Sequence, residues 1–357
     1  MFTTVRQAIS PDLGLDLGTA NSVVYERGAG VLISEPTIVA YDPYDRIVAF
    51  GHAAKEMEGR APGRVRVVRP LRRGTISDFR AAHAIVGTLV DRALAARPRI
   101  APRLVASIPG CATDIECKAV EQAVRAAGAR YTTYVPQAVA AAVGAGLDIT
   151  RPEAQMVVDI GGGTTEIAVV AMSGVIRLSS VAIGGDAFDL AIQQRLARDR
   201  FQIGSLTAEA LKVELGYAGR PRGRGPFIAR GISAGGPVAR EIDEVTVGDA
   251  MAEPVARIVR AVRAVLETTP PDVAADLIEF GITLTGGGAL IPGLAGEMAA
   301  QTNLPTTVAP DPLVCVARGA GEILGSAPLL EQLRPHADRI TRWYQSLRTG
   351  MRESYSP

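Results

Sequence analysis

"DIGGGTTEIAVV" (residues 159–170) ends an apolar strand on an aspartate, passes through glycines and threonines, and at once resumes an apolar strand. "GLDLGTANSVVY" (residues 14–25) does nearly the same, with Asp16 standing 143 positions before Asp159. A glycine-rich turn between two strands lets backbone N–H groups approach an anion, because no Cβ intervenes and glycine accepts positive φ. Phosphate is the natural ligand. In a dinucleotide-binding loop the glycines run from a strand into a helix; here each turn runs back into a strand, so that fingerprint does not fit. One such hairpin is an ordinary tight turn. Two copies in one chain predict two similar lobes gripping one nucleotide from opposite sides. Asp16 and Asp159 each sit at a strand end, where they would hold, through water, a Mg²⁺ bridging the phosphates.

A third glycine-rich element, "LTGGGALIPGL" (residues 284–294), runs from a strand into a triple glycine, with a helix expected to start near Pro292. Gly286, Gly287 and Gly288 would let a flat base or ribose lie on the backbone.

The rest of the chain falls into place around these turns. Strands open the first half through "GVLISEPTIVAY"; "FRAAHAIVGTLVDRALA" has helical spacing; "RLVASIP" reads as a short buried strand; residues 115–129 are helical; and "TYVPQAVAAAVGAGL" reads as an alanine-rich packed helix. The second half repeats the pattern: the strands "MVVDI", "IAVVAM" and "IRLSSVAIG", a helix from "GDAFDLAIQQRLARDR" capped by Asp186 or Gly185, helices at 207–217 and 247–267, the strand "GITLTGG", and a helix at 315–324. The boundary falls near Arg151-Pro152-Glu153.

Bulk properties narrow the function. At 357 residues the chain exceeds the ~250–300 at which single cores stop growing, which predicts two domains or lobes. It is 47% hydrophobic, 21% charged and of net charge +1, which supports a large core and argues against a dedicated nucleic-acid binder. Cys111, Cys117 and Cys315 lack metal-ligand spacing and are expected to be small buried groups in a reducing compartment. No stretch reaches the ~20 apolar residues needed to span a bilayer, and "MFTTVRQAIS" lacks a secretory h-region. The only lysines are Lys55, Lys118 and Lys212, and none follows a glycine, which excludes the P-loop NTPases. His52, His83 and His336 are assigned no chemistry.

The order of these elements resembles the actin-like ATPase superfamily, and most closely the MreB/Mbl family of bacterial actin homologues. The resemblance runs from about Leu13 to Leu324 and includes "TAEALKVELG"; "GTAN", "GRAPG" with "RPLRRG" and "ISDF", and "ETTPPDVAADL" are specific to that family. It implies an α/β actin-like fold: two duplicated RNase H-like lobes around a nucleotide cleft, in four subdomains. The lobes are 12–150, with a small subdomain at about 32–78, and 151–325, with a small subdomain at about 186–250. A basic amphipathic extension follows at 326–357. It further implies ATP or ADP with Mg²⁺ in the cleft, contacted by Thr19, Ala20, Asn21, Gly161, Gly162, Gly163, Thr164, Glu209, Lys212 and the Gly286–Ala289 turn, where Ala289 completes the glycines. Catalytic roles fall to Asp16, Asp159 and Gln137.

Gln137 marks a departure. The family's "EEPMAAAIGAG" reads "VPQAVAAAVGAG" here, so the carboxylate that activates the attacking water is replaced by an amide. Glutamine can position a water but cannot take its proton. At most a weak ATPase coupled to polymerisation is expected. Residues 216–240 hold five arginines and no acid, either a solvated hairpin or a basic patch for an acidic partner or anionic headgroups. In the tail, Leu329, Leu330, Leu333, Ile340, Trp343, Tyr344 and Leu347 recur at helical spacing among Arg334, Arg339, Arg342 and Arg348, with Pro335 between. That stripe suits a membrane interface or a helix folded onto the lobe. Phe2, Val5 and Ile9 make a feebler version at the start of the chain.

Three functions stay open on this reading. The first is a cytoplasmic filament of self-associating subunits, peripheral at the inner face of the cell membrane, directing cell shape and peptidoglycan synthesis with cell-wall morphogenesis proteins. The second is a non-hydrolysing scaffold that co-assembles with an MreB paralogue. The third, a small-molecule kinase, lacks a candidate catalytic aspartate outside the hairpins.

Overall fold

The computed structural model describes residues 11–95, 101–110 and 112–333. Cys111, His336, the N-terminal apolar residues and the tail from Arg334 onward lie outside the described residues.

The first half begins with β1 (Asp12–Leu17), β2 (Asn21–Glu26) and β3 (Gly30–Pro36), followed by β4 (Val39–Tyr41), β5 (Ile47–Phe50), α1 (His52–Glu56) and β6 (Arg66–Val68). A hairpin of β7 (Leu71–Arg72) and β8 (Thr75–Ile76) leads to α2 (Phe79–Leu94), β9 (Arg103–Ile108), α3 (Asp114–Ala126), β10 (Tyr131–Pro136) and α4 (Gln137–Gly144). The second half runs β11 (Gln155–Ile160), β12 (Thr165–Ala171), β13 (Gly174–Val181), α5 (Gly185–Arg198), α6 (Ser205–Leu215), β14 (Phe227–Ser233), β15 (Gly236–Ile242), α7 (Glu244–Thr268), α8 (Pro271–Phe280), β16 (Ile282–Thr285), α9 (Leu294–Thr302), β17 (Thr306–Val308) and α10 (Cys315–Ile323).

Two five-stranded sheets carry the architecture, and they are topological copies. One has the order β10-β9-β1-β2-β3, the other β17-β16-β11-β12-β13. In each, the first three strands in sequence form an antiparallel meander, and the two later strands add in parallel on the far side. Each sheet buries one face under its own helices. Leu13, Leu15 and Leu104 meet Ile85, Val86, Leu89 and Val124 in the first half, while Met156, Val158 and Ile167 meet Phe188, Ile192, Met251 and Ile258 in the second.

Between the sheets lie α4 and α10. Seven of the eight residues of α4 are buried, as expected of "QAVAAAVG", whose small side chains allow close approach on every side. α10 contacts α4, β1, β2 and β9, so a helix from the end of the chain completes the packing of the first sheet. The approach is backbone to backbone. A Cβ added to Gly144 would stand 1.8 Å from the Cys315 carbonyl oxygen, one on Gly319 would stand 1.8 Å from that of Ala140, and one on Gly14 would stand 2.1 Å from that of Ala317. Leu329 and Leu333, in the helical turn at 327–333, are buried against this same core, so the start of the tail folds onto the body.

Smaller sheets sit apart from the large ones: β5-β4-β6 with α1 in the first half, and the β14-β15 hairpin in the second. The arginine-rich stretch is partly ordered. The buried Glu244 carboxylate accepts the backbone N–H groups of Arg222 and Arg224, and the rest forms β14 and β15. On the outer face of that hairpin Ile228 and Ile232 are exposed.

Several local expectations are corrected. "YTTYVP" is the strand β10, its β-branched and aromatic residues pairing with β9, and the helix starts only at Gln137. α5 is capped by Gly184, not by Gly185 or Asp186, and a Cβ at Gly184 would stand 2.5 Å from the Gly161 carbonyl oxygen. The helix expected near Pro292 is α9, which begins after Gly293, whose φ of 81° belongs to the left-handed region, and a 3₁₀ turn at Gly287–Leu290 precedes it.

Candidate functional site

The strand order brings the two hairpins face to face. Each closes with the same bond: Gly18 N–H donates to the Asn21 carbonyl at 3.1 Å, and Gly161 N–H donates to that of Thr164 at 2.9 Å. A Cβ on Gly162 would lie 2.6 Å from the Ala20 Cβ, and one on Gly163 would lie 2.6 Å from the Thr19 Oγ1. Any side chain at either glycine would therefore wedge the halves apart.

The two aspartates at the root of these turns sit in matched settings. Ser107, on β9, donates its hydroxyl to Asp16 Oδ1 at 2.8 Å; Thr285, in the corresponding place on β16, donates to Asp159 Oδ1 at 2.8 Å. Enclosure by the cleft walls pushes the Asp16 pKa up to about 7, with the nearby Asp159 charge adding to the rise and Ser107 opposing it. Burial raises the Asp159 pKa too, against the hydrogen bonds from Thr285 and Gln137. Two enclosed acids that resist ionisation side by side form a donor set suited to a divalent cation, which would offset the repulsion.

Gln137 opens α4 and is buried. Its Nε2 donates to Asp159 Oδ2 at 2.7 Å, which leaves the amide oxygen as its free acceptor. Directly across from Asp159 on β12 stands Glu166. Burial pushes its pKa up to about 7 against the hydrogen bonds it accepts from Ser180 and from the Gly110 N–H at 3.0 Å. Gly110 follows β9, so Glu166 ties the second half to the first.

The cleft extends from the hairpins to the Gly286–Gly288 turn and has a volume of about 290 Å³. Among the predicted residues, Asp16, Thr19, Ala20, Asn21, Gln137, Asp159, Gly161 to Thr164, Glu209, Lys212 and Gly286 to Gly288 all line it. Ala289 does not: it is buried behind the turn. Glycine is required in the turn, since Gly286 has a φ of 77° and a Cβ on Gly288 would lie 2.2 Å from the Ile160 Cγ2. Lys212 Nζ is held by Asp189 at 2.9 Å. Glu209 reaches across the cleft to Lys55 on α1 at 2.7 Å.

Other residues of the site lie in or beside the quoted stretches but have no chemical signature of their own there. Val213, Leu290 and Leu313 are more than half exposed and line the cleft, a setting for a flat apolar face. Asp189 stands one turn beyond Gly185 on α5, and burial pushes its pKa up to about 6 against the attraction of Lys212. Ser107 and Thr285 could have been found by aligning the two halves strand by strand. The remaining titratable candidates stay outside the site: Cys117 and Cys315 are buried thiols, and His52 and His83 are exposed on helices. Among the described residues no cluster of three or more acids, histidines and cysteines forms an all-protein metal cage.

A family model described as MreB/Mbl protein matches residues 10–332. The cell shape-determining protein MreB of Escherichia coli is 40% identical over 334 residues, covering 91% of this chain and 96% of that protein. The cell shape-determining protein Mbl of Bacillus subtilis is 37% identical over 318 residues, covering 88% and 95%. Among solved structures, MreB5 of Spiroplasma citri bound to ADP superimposes with a TM-score of 0.83 at 31% identity, over 88% of this chain and 96% of that one. The MamK double helical filament gives 0.73 at 22% identity, over 88% and 99%, a likeness of fold. The fold is actin-like.

Proposed function

The chain belongs to the MreB/Mbl family, and from that premise we propose that it is a cell-shape cytoskeletal protein that binds Mg·ATP or Mg·ADP between its two lobes and assembles with copies of itself. The observation that carries the reading is the apposition of the two glycine hairpins, each rooted on an enclosed aspartate. In this reading the lobes are residues 12–150 and 151–325, with small subdomains at about 32–78 and 186–250.

The residues divide the work by position. The turn amides within the two hairpins, those of Thr19 and Ala20 and of Gly162 and Gly163, are the ones left to face the phosphates from opposite sides. Asp16 and Asp159 would hold Mg²⁺, which when bound would supply positive charge beside the phosphates. The Gly286–Gly288 turn, Glu209 and Lys212 take the nucleoside, with Val213, Leu290 and Leu313 against the base. Gln137 orients a water with its amide oxygen but takes no proton from it, so turnover is slow.

Nucleotide closure presents a surface that fits end to end with a second copy, and a head-to-tail contact that does not close on itself gives an open filament. The working place is the inner face of the cell membrane, beside wall-synthesis proteins. Among the described residues no single helix is long and apolar enough to cross a bilayer. A second reading, a scaffold that binds nucleotide with little turnover and co-assembles with a paralogue, is favoured by the Gln137 amide pinned to Asp159.

Calorimetry of the full chain with Mg·ATP and Mg·ADP tests the premise, and absence of heat with both would refute it. Sedimentation with ATP, for wild type and Gln137→Glu, separates the two readings. If the restored carboxylate speeds phosphate release and changes pelleting, the scaffold reading stands; if it changes neither, that reading loses its support.

A further inference from the structure

The phosphate end of the cleft is short of positive charge. Among the described residues that line the cavity, Lys212 is the only basic side chain, and it is already paired with Asp189. Asp16 and Asp159 bring further negative charge. A magnesium triphosphate is still an anion overall, so beyond the ion itself the backbone amides would be left to stabilise its terminal group.

A cation stands beside that end, on the tip of the β7–β8 hairpin. Arg73 has a φ of 51° and Gly74 one of 75°, both in the left-handed region. A two-residue hairpin loop takes positive φ at both positions, a conformation uncommon for arginine, and here the loop is also held from outside. The Gly74 N–H donates to the Thr19 Oγ1 at 3.2 Å, and a Cβ on Gly163 would lie 2.9 Å from both the Arg73 Cα and its nitrogen. The backbone of Arg73 is thus clamped against both phosphate hairpins at once.

Its side chain is left over. Of the neighbouring arginines, Arg69 makes a two-pronged pair with Glu58 at 2.7 and 2.8 Å, and Arg66 and Arg80 both bind Asp45; Arg72 is also without a side-chain partner among the described residues, but the contacts with the phosphate hairpins fall on Arg73 and Gly74. Arg73 is exposed and, among the described residues, forms neither an ion pair nor a side-chain hydrogen bond. Contact with both hairpins and an uncommitted guanidinium coincide at one residue.

We infer that Arg73 recognises the terminal phosphoryl group of a bound nucleoside triphosphate, its guanidinium donating charge-assisted hydrogen bonds to the non-bridging oxygens. A diphosphate has no group at that place, so Arg73 sets the preference for triphosphate over diphosphate. This rests on the reading of the cleft as a nucleotide site.

The test is calorimetry of the full chain with Mg·AMPPNP and, separately, Mg·ADP. Arg73→Asn and Arg73→Gly both tolerate the positive φ, so the hairpin survives the change. Each should weaken Mg·AMPPNP binding by about ten- to a hundredfold, the range for one lost charge-assisted hydrogen bond, and leave Mg·ADP within about twofold. Arg72→Ala, one position away, should bind both as wild type does. Unchanged Mg·AMPPNP binding in the Arg73 variants, or equal loss of both ligands, overturns the inference while the nucleotide site stands. Failure of wild type to bind either nucleotide overturns both.

Discussion

Replacing Gly319 with alanine tests the helix pair on which the two halves meet. The added methyl would stand 1.8 Å from the Ala140 carbonyl oxygen and 2.7 Å from the Gly144 nitrogen, whereas ordinary contact begins at 3.4 Å. Relief therefore requires α4 and α10 to part by about 1.6 Å, the difference between the first and last of these distances. Both obstacles are backbone atoms, which cannot rotate away. The cost should reach or exceed the upper end of the ~1–3 kcal/mol typical of overpacking. Against it stands a helix-propensity gain of about 1 kcal/mol for alanine over glycine. Gly87→Ala, in the middle of α2 where an added Cβ meets nothing within 4 Å, carries the same gain without the clash. Subtracting one variant from the other isolates the strain, about 3 kcal/mol or more. The readout is the denaturant midpoint of each variant at unchanged slope. Gly319→Ala should also impair nucleotide binding, since α4 carries Gln137 at its first position. If it unfolds at the same midpoint as Gly87→Ala, the close packing of the two helices does not hold the halves together.

Three further outcomes follow from the site and the core. The pKa values of Asp16 and Glu166, raised to about 7 in the fold, mean that the folded chain binds more protons than the unfolded one between about pH 4 and 7. Without magnesium, the stability these two groups contribute should be full below pH 4 and fall as pH rises toward 7; Glu166→Gln should flatten the decline in thermal scans, and an unchanged slope would exclude Glu166 as a source. Lys55→Ala removes the pair with Glu209 across the cleft, whose side chains are 27% and 36% exposed, so nucleotide release should quicken by no more than about fivefold and the difference should fade in high salt; stopped-flow release that is unchanged, or insensitive to salt, would count against a latch. Leu333→Ala, at a residue 3% exposed in the core between the sheets, should cost about 2–4 kcal/mol in denaturant unfolding, and a loss near zero would mean that the 327–333 turn is not docked.

Much of the site was legible because its chemistry is local. A strand, an aspartate and a glycine turn announce themselves within a dozen residues, and two copies imply a cleft between them. What the sequence hid depends on partners far apart in the chain. Glu166 lies inside the quoted motif, yet its tie to Gly110 arises only when β12 is placed beside the first half. Ser107 and Thr285 look like ordinary strand hydroxyls until the parallel pairing sets each beside an aspartate. The strand β10 was concealed because "YTTYVP" runs without a break into an alanine-rich helix, and only pairing with β9 separates them. The cap at Gly184 is hidden because close approach by a distant carbonyl, that of Gly161, leaves no mark in local composition.

The place of α10 bears on how the molecule is made. β1, among the earliest strands to leave the ribosome, is packed against a helix that emerges roughly 300 residues later, with the Ala317 carbonyl pressed on Gly14. During translation the nascent first sheet must wait with one apolar face uncovered, a state open to chaperones and to aggregation. Residues 12–150 expressed by themselves would leave the part of that face under α10 bare for good, and supplying α10 as a separate peptide is the route by which such a fragment could be made to fold.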